Sequence, residues 1–98
     1  MALNRINLEN FFPGVVFTVE TENSEYRIKC DQKAYCWIRG TSRFPDWTKI
    51  KIKGGCGISL LPWTVEGNTI CVGHRMIIDR FNGDNYLYTS RIEHISKG

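Results

Sequence analysis

Residues 48–54, TKIKIKG, carry the pattern with the clearest chemical use. In an extended segment, residues two apart share a face. Lys49, Lys51 and Lys53 would then form a row of three cations, with Ile50 and Ile52 on the opposite face. Cations at strand spacing can track the phosphates of a single-stranded nucleic acid. The segment AYCWIRG repeats the alternation, putting Tyr35, Trp37 and Arg39 on one side, with Lys33 just before it. Flat rings beside cations are what sequence-tolerant strand binding uses: charge for the backbone, ring faces for the bases. The ordinary reading of such a lysine comb is a guarded sheet edge. Tyr35 and Trp37 could equally pack beneath an N-terminal turn.

The loop GTSRFPDW offers a second kind of chemistry. Arg43, Phe44 and Trp47 sit in a short polar stretch, and aromatic and Arg side chains dominate protein-binding hot spots. Trp47, together with Trp63 of a later Pro-Trp pair, could instead fold back as a plug, which leaves Arg43 and Phe44 as the expected contacts.

The remaining reactive residues fall into no site signature. The four cysteines are Cys30, Cys36, Cys56 and Cys71, and the histidines are His74 and His94. Structural zinc draws on closely paired ligands such as Cys-x2-Cys, and no such pair occurs, so no metal and no cofactor are expected. Cys30 and Cys36 fall on apolar strand faces, where free cysteine behaves as a small hydrophobe. Reduced thiols are the expectation for a chain without a signal-peptide-like run. No Gly-x-Ser-x-Gly occurs, so a small enzyme using His74 or His94 is the least supported alternative. The run Gly54-Gly55-Cys56-Gly57 lacks the lysine and the helix that a phosphate loop needs. Asp79 and Asp84 flank a turn at Asn82-Gly83, and Glu20, Glu22 and Glu25 flank another, as solvated acids do.

Short strands must position these residues. Val15–Glu20 and Glu25–Cys30 alternate across a polar turn and read as a hairpin. Ala34–Arg39 and Thr48–Lys53 follow, then a short strand at Ile58–Leu61 ended by Pro62. Thr69–Val72 comes next, with Gly73 as a bend. Arg75–Phe81 and Tyr86–Ser90 flank Asn82-Gly83-Asp84-Asn85 as a further hairpin. Ile92 and Ile95, three apart, suit a closing turn as well as a strand. Asn7–Phe12 fits one helical turn capped by Asn7 and stopped by Pro13-Gly14, with Phe11 and Phe12 covering one end of the core. About seven or eight short strands with regular turns imply a small antiparallel β-barrel, of SH3-like or OB-like size, or a compact sandwich.

Ninety-eight residues, 42% of them hydrophobic and 12% aromatic, suffice for one domain spanning residues 1–98. Thirteen basic against ten acidic residues leave a net charge of +3, low for a nucleic-acid specialist. No apolar run is long enough for a membrane span. The expectation is a cytoplasmic, non-catalytic binding module: a protein-protein adaptor, inhibitor or assembly subunit, with a homo-oligomer as one form open to it, that meets its partner through Arg43, Phe44 and Trp47 or through a free strand edge. The alternative is single-stranded nucleic-acid binding through Lys49, Lys51 and Lys53 with Tyr35, Trp37 and Arg39.

Overall fold

A computed structural model describes residues 2–32, 35–54, 69–81 and 86–98. Nine strands are present among them: β1 (Ala2–Leu3), β2 (Arg5–Asn7), β3 (Val16–Thr21), β4 (Glu25–Cys30), β5 (Tyr35–Arg39), β6 (Thr48–Gly54), β7 (Thr69–Cys71), β8 (Arg75–Asp79) and β9 (Leu87–Lys97). Strands β9, β3, β4, β5, β6 and β8 follow one another round an antiparallel sheet, and β8 pairs back onto β9. The result is a closed six-stranded barrel. Closure leaves each of these strands with a neighbour on both sides, which removes the edges that an open sheet exposes. β1 extends the sheet alongside β9, and β2 with β7 makes a separate two-stranded ribbon. No helix among the described residues is long and apolar enough to cross a membrane.

Period-two alternation builds the wall. Phe17 and Val19 of β3, Tyr26, Ile28 and Cys30 of β4, Cys36 and Ile38 of β5, and Ile50 and Ile52 of β6 all point inward and are buried. Their odd-even partners, from Arg27 and Lys29 to Lys49 and Lys51, are left on the outside. Ile6, Leu8, Ile70, Met76 and Ile78 complete the same core.

β9 breaks the period, for a definite reason. Its buried residues are Thr89, Ile92 and Ile95, spaced by three. Two register shifts lie along it. Between Glu20 and Thr21 of β3 it advances from His94 to Ile92. Between Arg75 and Ile77 of β8 it advances from Arg91 to Tyr88. Each gives β9 one extra residue, and each extra residue flips the phase of the strand. The Ile92/Ile95 spacing, which alone resembles a helical turn, therefore belongs to a doubly bulged strand that joins β8 to β3 and closes the barrel.

The N-terminal turn is a 3-10 helix over Leu8–Asn10, capped by the Asn7 side chain, which accepts from the Glu9 N–H at 2.9 Å. Leu8 is buried, and Phe11 packs edge-on against Phe17 at 4.8 Å between ring centroids. Phe12 is 85% exposed, so only one of the two phenylalanines covers the core. Gly73 supplies the expected bend between β7 and β8 with φ +90, its N–H donating to the Ile92 carbonyl at 2.8 Å.

The cysteines do not all behave alike. Cys30 and Cys36 are free and buried, whereas Cys71 is disulfide-bonded. Uniformly reduced thiols were expected on grounds of compartment, which does not constrain what the fold brings together. The glycine run after Gly54, the strand at residues 58–61, Trp63 and the turn at residues 82–85 lie outside the described residues, as do Lys33 and Ala34.

Candidate nucleic-acid interface

Strand register arranges the outer face of β4, β5 and β6 in rows. Lys29, Trp37 and Lys49 lie side by side across the three strands. Next to them runs Tyr35 with Lys51, followed by Asp79 on β8. On the other side Arg27 faces Arg39. Trp47 stands two residues before Lys49 and continues that outward parity. Lys29 confirms its side, because its Nζ lies 4.5 Å from the Trp47 ring centroid. Lys53 is exposed but sits at a register irregularity between β6 and β8, past the last residue of β6 that pairs with β5. Two of the three comb lysines therefore share rows with rings, and the third lies beyond them.

Asp31 organises the centre of this face. One carboxylate oxygen, Oδ2, accepts from the Trp37 Nε1–H at 3.1 Å and lies 4.0 Å from the Lys49 ammonium. The other accepts from the Gln32 N–H at 2.8 Å. Trp37 is thereby held by its polar edge, and Lys49 sits between rings, 4.9 Å from the Tyr35 centroid and 6.0 Å from that of Trp37. Phe81 adds a further ring 5.7 Å from Tyr35, and these two are 52% and 39% exposed. The acids interleaved with the cations here are Glu25, Asp31 and Asp79.

The structure brings together Lys49, Lys51, Tyr35, Trp37 and Arg39, with Lys53 at the margin. It adds Trp47, which the sequence grouped with the loop. Sequence reasoning missed Arg27, Lys29, Asp31 and Phe81. The first two were readable as the outward residues of EYRIKC. Asp31 and Phe81 carry no local signal, because both arrive through tertiary placement.

The loop after β5 behaves differently from expectation. Phe44 is 1% exposed and belongs to the core, so its ring is not a contact for a partner. It is Phe44, not Trp47, that plugs the barrel. The Gly40 N–H donates to the Phe44 carbonyl at 3.0 Å, and the Phe44 N–H to that of Thr41 at 2.9 Å. This tight loop turns the ring inward. Arg43, its neighbour, is exposed and lines a cleft of about 260 Å³ at the barrel end with Ser24, Tyr26, Tyr88 and Ser90.

His74 lies in the β7–β8 connection, its N–H donating to the Cys71 carbonyl at 3.3 Å. His94 is a half-buried residue of β9 opposite Glu20. Among the described residues no three His, Cys, Asp or Glu side chains gather as a metal site would need. No protein-family profile, curated protein or solved structure matches the chain.

Proposed function

We propose that this chain is a non-catalytic module that binds single-stranded nucleic acid on the outer face of β4, β5 and β6. The observation that carries the reading is the register-matched interleaving of rings and cations: Lys29–Trp37–Lys49 beside Tyr35–Lys51, with Arg27–Arg39 alongside. Such a face supports both needs of strand binding on one sheet: cations for the phosphates and ring faces for the bases.

Relative magnitudes favour exchange of the ring contacts on binding. A cation over an exposed ring contributes roughly 0.5–1 kcal/mol, whereas a base stacked on the same ring contributes about 1–3 kcal/mol. A base can therefore displace Lys49 from Tyr35, and the displaced ammonium becomes available to a phosphate. Stacking of this kind needs bases free of a duplex stack, which is why the proposed ligand is single-stranded.

The protein-adaptor reading rests on fewer residues than the sequence suggested, with strand edges left at β1, β2 and β7. Phe44 is in the core, and closure pairs both sides of the six barrel strands, so none of these six offers an edge for strand addition.

The test is fluorescence anisotropy of a labelled single-stranded oligonucleotide, titrated at low and near-physiological salt. The K49E/K51E/K53E variant serves alongside the native chain. Salt-sensitive binding abolished by the triple change is expected. Absence of binding by the native chain at low salt overturns the proposal.

A further inference from the structure

We propose that Cys30 and Cys36 form a redox-active dithiol that closes to a cross-strand disulfide by exchange with a low-molecular-weight disulfide. The two residues face each other directly across β4 and β5. The Cys30 N–H donates to the Val15 carbonyl at 2.8 Å, and the Cys30 carbonyl accepts from the Gly14 N–H at 2.9 Å. Both backbone groups of Cys30 thus point away from β5. In an antiparallel ladder that makes Cys30 and Cys36 a non-hydrogen-bonded pair, the class in which facing Cα atoms approach to about 4.5 Å. A disulfide spans Cα separations of about 4.4–6.8 Å. Backbone register alone therefore holds the two sulfur-bearing positions within bridging distance, on the same inward face. Both thiols are free.

The exchange is balanced as two displacements. The Cys30 thiolate attacks one sulfur of the reagent disulfide RSSR, forming a mixed disulfide and releasing RS⁻. The Cys36 thiolate then attacks the Cys30 sulfur and displaces the second RS⁻. The cysteines lose two electrons and two protons, and the reagent leaves as two RSH. Burial raises the pKa of both thiols, Cys36 to about 12, where Cys30 and Asp31 push in the same direction. Cys30 is accordingly the first attacker and Cys36 the resolving thiol. Once Cys30 is capped it can no longer carry the charge that opposes ionisation of Cys36.

Burial sets the rate rather than the outcome. Cys30–Cys36 is the last register pair of β4 with β5, so fraying of that ladder end is the local opening the reagent needs. Asp31 and Trp37, the immediate neighbours of the pair, belong to the basic face. Closure would tie β4 to β5 directly behind it.

The experiment uses the full chain equilibrated with oxidised glutathione in sub-denaturing urea. It is followed by acid quenching, alkylation of residual thiols in full denaturant, so that burial protects neither cysteine, and peptide mapping. Simultaneous loss of both alkylatable thiols and a peptide linking Cys30 to Cys36 are expected. The C36S variant should stop at a glutathione adduct on Cys30. The proposal is overturned if both thiols stay alkylatable, if adducts accumulate on the native chain without closure, or if either cysteine links elsewhere. None of these readouts depends on nucleic-acid binding.

Discussion

Replacing Phe44 with Ala separates a core residue from a contact residue. Phe44 is 1% exposed, and its ring joins the cluster that fills the barrel. Truncating a buried Phe to Ala costs about 3–5 kcal/mol, from lost transfer energy and from the cavity left behind. A domain of this size holds about 5–15 kcal/mol in total, so F44A should remove a large share of the stability. At about 4–8 °C per kcal/mol, Tm should fall by at least about 12 °C. The loop's own hydrogen bonds, Gly40 to Phe44 and Phe44 to Thr41, are backbone bonds and remain available. The loss therefore reports packing. The assay is urea unfolding followed by tryptophan fluorescence, with an unchanged m-value as the mark of an intact two-state transition. Arg43→Ala, one residue away and exposed, should stay within about 0.5 kcal/mol of the native chain. A cost below about 1 kcal/mol for F44A, or equal costs for the two variants, would refute the assignment of Phe44 as the barrel plug.

Three further outcomes are expected. Gly40 has φ +144, and a Cβ there would overlap the Glu25 carbonyl oxygen. Gly40→Ala should therefore destabilise by at least about 1 kcal/mol, read in the same unfolding assay. Cys36 has its thiol raised from 9.0 to about 12 by burial. Between those values the unfolded chain ionises this thiol and the folded chain does not. The contribution is fully present below pH 9 and is lost as pH rises towards 12, at up to about 1.4 kcal/mol per unit. Cys36→Ala should flatten that slope. For oligonucleotide binding, each phosphate neutralised contributes roughly −0.7 to the slope of log K against log salt on a single strand. Lys29→Ala should reduce the slope by about that amount, and Phe12→Ala, which removes no charge, should not.

Alternation made the wall of the barrel legible. Val15–Glu20, Glu25–Cys30 and Thr48–Lys53 lie within a residue or so of β3, β4 and β6, because each has one face in the core and one in water. The outward set on β5 and β6 followed from the same parity. What parity could not supply was register. Nothing local says that Trp37 lies between Lys29 and Lys49, or that Asp31 reaches the Trp37 indole. The end of β9 was ambiguous between turn and strand because two bulges reset its phase, leaving Ile92 and Ile95 three apart on one face. Phe44 was misassigned because Arg, Pro and Asp around it mark a loop, and a loop residue's burial depends on what it folds over. The disulfide at Cys71 had no spacing signal either.

The most direct measurement is a heteronuclear NMR titration of the labelled chain with a single-stranded oligonucleotide at low salt. Shifts concentrated at Lys29, Tyr35, Trp37, Arg39, Lys49 and Lys51 are the predicted result, with the Trp37 indole N–H moving as a base reaches the ring. Shifts confined to the cleft around Arg43, Tyr88 and Ser90, or no shifts at all, would contradict the account.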